Sequence, residues 1–460
     1  MTEQLRTWLT AWAWSRQSAA EVARNAQAFV ADGHRDPLIE RIAHGAGRNL
    51  SNAERSLRSV LPLEEGPSTA DIEEGDMGLI IPPAVMFRWV RDNHPAQFRT
   101  HFGADPAGLQ WWWEQLLATP DGPDYWAKHP FLRGRSPEDL RFHVPLVMHD
   151  DAGPVSKFNS AYVRSFHSIL GVGRELEARF LICTCMKQAG MDDRSWGTIM
   201  RSFEDLAGDI GEGSWGGVLL FFSSDLEYAC NELGLRHFNG VKMCCFCNAD
   251  TADTPHTDFG AGARWRGTVF TNGQFLRHLR TPRHPAAAHP WFNKYTYRLD
   301  LLHILDHHGV ANAIFGNILW AHVQTPSQVL PGATQAERLA FLNEDIKAFY
   351  TLNAVANRLP PLRLSNLRAG DFPDLSGAVV KAANTRSLAP YVFELQKRAC
   401  DADPTDLNKH MLKCVESLNE AYSLFYSAGY FLTAAEARAA DKLLARMGLH
   451  YQRLAFFERW

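Results

Sequence analysis

Most of the signatures by which common enzyme classes are recognised are missing from this 460-residue sequence. It holds no G-x-x-x-x-G-K-[ST] loop, which excludes a phosphate cradle of the P-loop kind. Gly171-Val172-Gly173 lacks the third glycine and the strand–helix context of a dinucleotide fingerprint. There is no G-x-S-x-G nucleophile elbow, so serine-hydrolase, cysteine-protease and kinase readings have nothing to stand on. No apolar run approaches the roughly 18 to 20 residues that cross a bilayer. The opening MTEQLRTWLTAWAWSRQ is broken by Glu3, Arg6 and Arg16 and does not read as a signal peptide. Internal repeats and low-complexity segments are also lacking. A basic balance is absent too: 47 Lys and Arg face 51 Asp and Glu, for a net charge of −4. That excludes a whole-chain basic surface of the kind that dominates nonspecific nucleic-acid binding, and leaves room for a local basic channel. Cysteine is sparse, at eight residues. They sit as a pair (Cys183, Cys185), a cluster (Cys230, Cys244, Cys245, Cys247) and two singles (Cys400, Cys414). The adjacency of Cys244 and Cys245 argues against a disulfide framework and for a reducing, intracellular compartment.

What is present describes a large globular protein. Hydrophobic residues make up 46% and charged residues 21%, with 14 Trp and 27 Phe to build an aromatic core. The length suits two or three domains, or one domain with large insertions. Residues 1–61 form a helical region: 4–31 has helical spacing with Leu5, Trp8, Leu9 and Trp12 on one face. A second helix is expected near Pro37 and a third after Ser51, where Ser51-x-x-Glu54 fits a capping box. Trp8, Trp12 and Trp14 are better read as core than as a partner surface. Residues 62–83, acidic and rich in Pro and Gly, read as a linker or extended crossing. A helical region follows at 84–140, in which Trp111-Trp112-Trp113 must send at least one ring off any single helical face.

Residues 141–225 change character. Strands are predicted at 141–149, 156–170, 178–187 and 218–224, with a helix at 194–209 between the last two. The order β, β, β, α, β, with an acid where the first and fourth strands end, is what an RNase H-like mixed-sheet core needs. Residues 226–299, polar and bearing Cys and His, look like an insertion. From residue 300 to 460 the chain reads as helical, with helices predicted at 299–322, 335–356, 376–399, 405–428 and 433–458. The last of these runs into Trp460 without a stop signal, as in a fragment of a longer product. The fold class is thus α/β plus α, an RNase H-like core with a Cys/His-bearing insertion and large helical N- and C-terminal regions.

Strand-end carboxylates can hold divalent metals that activate water and stabilise a leaving oxygen in phosphoryl transfer. Asp150 or Asp151 would be the first and Asp225 the second; the alternative is ordinary strand-exit turns, where Asp is common. Oxygen donors of this kind suit Mg²⁺. Asp300 and His303, three apart on a helix face, could support such a site or bind metal; equally, Asp300 could cap the helix and His303 make a local hydrogen bond. Cys244 and Cys247 offer half of a tetrahedral Zn²⁺ site, with His256, His237, Cys230 and Asp258 as the nearest candidates to complete it. Two buried free cysteines packing as small hydrophobes is the competing reading.

Taken together, HVPLVMHDDAG, SSDLEYACNELGL, MCCFCNADTADTPHTDF and DLLHILDHHGVANAIFGNIL resemble the DDE-type transposases of eukaryotic DNA transposons, with the nearest likeness to the CACTA/Plavaka-like group. The resemblance covers roughly residues 140–390. It implies an RNase H-like fold, strand cleavage and transfer with Mg²⁺ or Mn²⁺, DNA (transposon ends) as partner, a nuclear location and room for a homo-oligomer, with no membrane role. Carried over residue by residue, Asp150 or Asp151 matches the first catalytic Asp and Asp225 the second, Asp300 and His303 the D-x-x-H pair, and Cys244 and Cys247 the knuckle. The third acid departs from the pattern: Asn384 stands where a Glu is expected, and an amide cannot supply a carboxylate's charge. Glu416 and Glu420, one turn apart, are the substitutes in the next helix. The resemblance therefore implies a degenerate or inactive copy, and the alternative is a non-catalytic, zinc-stapled scaffold that binds DNA or protein.

Overall fold

In the computed structural model the described residues run from 73 to 454, except 76–77, 155–159, 173–177, 188–190, 192, 209–213, 238, 308, 368–372 and 376–379; residues 26, 27, 30, 40 and 43 precede them. Of the helices expected at 4–31 and near Pro37, only residues 26, 27, 30, 40 and 43 are described, and these are helical. The helix expected after Ser51, the placement of Trp8, Trp12 and Trp14, and the last stretch of the expected final helix lie outside the described residues. Two short strands open the described chain, β1 (Glu73–Gly75) and β2 (Gly78–Ile80), paired antiparallel. Helices α1 (Pro83–Asn93), α2 (Pro95–Phe102), α3 (Pro106–Ala118) and α4 (Gly122–Lys128) follow. Strands β3 (His143–Pro154), β4 (Ser160–Ser168) and β5 (Phe180–Met186) come next, then α5 (Asp193–Gly208) and β6 (Gly216–Ser224). Short helices α6 (Leu226–Asn231), α7 (Asn272–Arg277) and α8 (Pro285–Ala288) lead to β7 (Tyr297–Leu299) and a π-helical turn, Leu302–Asp306. The rest is helical: α9 (Val310–Gln324), α10 (Gln335–Leu352), α11 (Leu364–Leu367), α12 (Ala382–Ala402), α13 (Asp406–Ser427) and α14 (Ala434–Leu454).

This is an α/β protein with a mixed parallel and antiparallel five-stranded sheet flanked by helices, in the order β5-β4-β3-β6-β7. Antiparallel pairing of β3 with β4 and of β4 with β5 makes a meander, as short connections between consecutive strands favour. Among the described residues no helix is long and apolar enough to cross a membrane. The chain divides into two compact units: residues 1–114 with 129–222, and residues 115–128 with 223–460.

The first unit is organised by aromatic packing. Phe102 stacks on Phe180 at 4.7 Å, Phe87 meets Phe102 edge-on at 4.8 Å, and Phe203 of α5 meets Phe166 of β4 at 5.9 Å. Such pairs add about 0.5–1.5 kcal/mol to the burial of their area. The three tryptophans of α3 resolve as helical geometry requires: Trp112 and Trp113 are buried while Trp111 is exposed. Trp113 donates its indole N–H to the His143 carbonyl at 3.0 Å, so its polar edge is satisfied inside the core. β6 is buried along nearly its whole length, as a central strand should be. It begins with two glycines because a Cβ on Gly217 would sit 2.6 Å from the Leu146 side chain.

The second unit has its own core on α9, α12 and α13, through Ile314, Phe315, Ile318, Leu388, Val392, Val415 and Leu418. α9 is apolar around its circumference and buried accordingly. A single helix expected over 299–322 is instead β7, the π-helical turn and α9. The break falls at Gly309, where a Cβ would lie 2.2 Å from the Ile304 carbonyl oxygen.

Candidate functional site

The first pair of acids lies within a strand, not at its end. The 141–149 strand expected from the sequence runs on to Pro154, because β4 continues the antiparallel pairing as far as Pro154↔Ser160. Asp150 and Asp151 therefore alternate to opposite faces of β3. Asp150 is fully buried, and its Oδ2 lies 2.6 Å from Nε of Arg164, its register partner on β4. Arg164 is itself buried; it donates through Nη1 to Cys185 Sγ at 2.9 Å and lies over the Trp196 ring at 4.9 Å. Burial pushes the neighbouring Cys183 thiol up to about 11, against the opposing pull of the Arg164 charge. The result is a neutralised ion pair inside the first unit. Asp151 is half-buried, and its Oδ1 accepts the Ala152 N–H at 2.8 Å.

The remaining acids expected at the site belong to the second unit. Asp225 follows β6 directly and caps α6: its Oδ1 accepts the Tyr228 N–H at 2.5 Å. Asp300 and His303 do meet, with Oδ2 2.8 Å from Nδ1 and each side chain about a fifth exposed. The His303 ring also meets that of His307 edge-on at 5.4 Å. The dyad opens the π-helical turn, an irregularity frequent at functional sites. The turn closes on Asp306, a buried carboxylate held by Arg386 (Nε at 2.7 Å) and by the Tyr422 hydroxyl. Asn384 donates through Nδ2 to the Arg358 carbonyl at 2.9 Å. Glu416 and Glu420 face basic neighbours: Lys413 reaches Glu416 at 2.8 Å and Arg446 reaches Glu420 at 2.7 Å.

The cysteine loop is held by its own backbone and by Arg236. Cys244 Sγ accepts the Phe246 N–H and Cys247 Sγ the Ala249 N–H, each at 3.4 Å. The Arg236 guanidinium clamps the same loop, donating through Nη1 to the Cys247 carbonyl at 2.9 Å and to that of Cys244 at 3.4 Å. Burial pushes the Cys247 thiol up to about 11 and raises that of Cys245 as well. Cys230 Sγ lies 3.1 Å from the Arg236 carbonyl, Asp258 Oδ1 accepts the Gly260 N–H, and His256, exposed, turns Nδ1 to the Asp250 carbonyl at 3.1 Å. His237 is exposed, and its Nδ1 lies 3.5 Å from the Asn239 N–H. Among the described residues, no group of three or more His, Cys, Asp or Glu side chains is placed to hold a metal ion. The four donors that a tetrahedral zinc site takes are not assembled among the described residues.

Comparison with family models and with curated proteins returns no match to this chain.

One group of charged residues escaped motif-by-motif reading. Arg236 touches His278, Arg277 precedes it, and Arg280 and Arg283 are exposed in the loop that follows. Arg280 donates to the Asn231 carbonyl and Arg283 to that of Leu276. The signal was available as a count of charge along the chain.

Proposed function

We propose that this chain is a DNA-binding protein built on an RNase H-like scaffold of transposase descent, and that it does not cut DNA. The order of the sheet carries the reading. Three consecutive strands form one side, α5 leads to a fourth strand on the free side of the first, and a fifth joins beyond it after a long insertion. This arrangement supports an RNase H-like core, and the resemblance of the segments around Asp150, Asp225, Cys244 and Asp300 supplies DNA as partner and the nucleus as the place of work.

The loss of cutting follows from charge. Mg²⁺ or Mn²⁺ chemistry needs carboxylates whose negative charge is available to the ion. Asp150 gives its charge to Arg164 at 2.6 Å. Asn384 stands at the third position, and Glu416 and Glu420 are paired with Lys413 and Arg446. The test is to incubate the purified chain with DNA carrying terminal inverted repeats and Mg²⁺ or Mn²⁺. Binding without cleavage or strand transfer is expected. Cleavage that disappears in Asp225→Ala would restore an active nucleotidyl-transferase.

The paired sulfurs of Cys244 and Cys247 favour a second element, a structural zinc staple in the inserted segment. Elemental analysis finding tightly held zinc in the wild type, lost in Cys244→Ser, supports it. A zinc-free protein with an intact fold leaves Arg236 as the clamp of that loop.

A further inference from the structure

Charge is unevenly distributed along this chain. From Phe259 to Leu299 there is no Asp or Glu, while the same stretch holds six Arg and one Lys, in a protein of net charge −4. The structure gathers part of this charge in one place in the second unit. α7 ends at Arg277, His278 follows as its C-cap, and the next loop exposes Arg280 and Arg283. Arg236 joins them, with Nη2 3.0 Å from the His278 ring and its guanidinium over Phe270 at 4.7 Å. The side chains are oriented by uncharged groups: Arg280 donates to the Asn231 carbonyl, and Arg283 to the Leu276 carbonyl at 3.0 Å. Among the described residues, no carboxylate pairs with Arg236, Arg277, Arg280 or Arg283. Elsewhere in the same unit Arg266 pairs with Asp441, Arg386 with Asp306 and Arg446 with Glu420.

We propose that the surface made by Arg236, Arg277, His278, Arg280 and Arg283 grips the phosphate backbone of nucleic acid. It rests on the DNA-binding reading above and supplies the contact surface for it. Exposed guanidinium groups with no carboxylate to satisfy them, two of them oriented by backbone carbonyls, suit phosphate oxygens, which they can bind in a bidentate way. Each phosphate so neutralised releases counterions, which drives binding and makes it salt-dependent. The local positive potential also acts on His278, whose pKa is lowered by burial and by the charges of Arg236, Arg277 and Lys242. A lipid surface fits less well, because Val269 and Leu299 are the large apolar side chains this stretch exposes, and a membrane-lying element needs a broad apolar face.

The test uses the full chain, with binding to a short DNA duplex followed by fluorescence anisotropy across a range of salt. Arg277→Gln/Arg280→Gln/Arg283→Gln is compared with Lys347→Gln/Lys397→Gln/Lys409→Gln, which removes equal charge from exposed positions of α10, α12 and α13. The arginine variant should weaken binding about tenfold or more and flatten the log–log salt slope by about 2–3, close to one per lost phosphate contact. The lysine control should change neither. Equal affinity and slope in both variants would overturn this surface and leave DNA binding standing. A wild type that fails to bind at low salt would remove both. Equally tight binding to polyglutamate-competed or anionic-vesicle targets, lost in the same variant, would overturn nucleic acid as the partner. Should the glutamine variant melt early, Arg277→Lys/Arg280→Lys/Arg283→Lys decides: it should retain the salt slope, and a slope as flat as the glutamine variant's would count against the proposal.

Discussion

Arg164 and Asp150 define the chemistry of the first unit's interior. Both are buried and lie 2.6 Å apart across adjacent strands. A buried pair of this kind adds little net stability, but removing one partner leaves a buried charge uncompensated and costs about 3–5 kcal/mol. Asp150→Ala should therefore lower the urea midpoint by an amount corresponding to that loss. An unchanged or higher midpoint would show that Arg164 reaches solvent or other partners once the carboxylate is gone. His167, on the same sheet, gives a pH signature. Burial first, and then the charges of Arg179 and His149, push its pKa down to about 4. A histidine whose folded pKa lies below its unfolded value of about 6.5 binds its proton more readily when unfolded. Its contribution is therefore fully present above pH 6.5 and is lost as pH falls from about 6.5 toward 4, by up to about 3 kcal/mol. Chemical denaturation across that range should show the loss, and His167→Gln should flatten it. An unchanged slope in the variant would assign the acid sensitivity to other groups.

At the scale of elements, α9 shows how a buried helix end is satisfied. Its last carbonyls, those of Val323 and Gln324, accept from Arg338 Nε at 2.7 Å and Nη2 at 3.0 Å, and Nη1 reaches the Gly332 carbonyl at 2.8 Å. Arg338 is held for this by the capping box of α10, in which the Thr334 hydroxyl accepts the Glu337 N–H. Arg338→Met keeps the apolar stem and removes three charge-assisted bonds, which should cost about 2–4 kcal/mol. A loss below 1 kcal/mol would show that water takes over the carbonyls. Elements with strong local signals were legible in the sequence: α5, β6 and the helices α10, α12, α13 and α14 fall within a few residues of the periodicity-based expectation, α12 differing most, at its start. β7 was not, because three residues carry no measurable period. The true end of β3 was hidden as well, since Asp150-Asp151-Ala152-Gly153 has turn composition and only the pairing with β4 keeps it extended. The same register decides what Asp150 does. Its partner Arg164 lies across a connection whose length and pairing no local pattern reveals. Asp225 was legible as an acid after a strand, but cap and metal ligand look alike in sequence, and it caps α6.

For the whole molecule, the decisive quantity is whether its carboxylates hold a divalent ion in solution. The resemblance to DDE transposases implies Mg²⁺ or Mn²⁺, while the described side chains include no group of three metal donors. Melting temperature reads this without any assay of activity. An ion present at a hundred times its dissociation constant stabilises the folded state by about 2.7 kcal/mol. In a unit of this size that raises the midpoint by several degrees, at about 2–4 °C per kcal/mol. With Asp150 paired to Arg164, Asp225 capping α6 and Asp300 bonded to His303, adding Mg²⁺ or Mn²⁺ should leave the midpoint where EDTA leaves it. The informative contrast is with DNA. A duplex gripped by the arginine surface should raise the midpoint at low salt, and that rise should vanish as salt is added. A metal-induced rise abolished by Asp225→Ala or Asp300→Ala would instead show that the acids are drawn together by the ion, and would return strand cleavage to this chain.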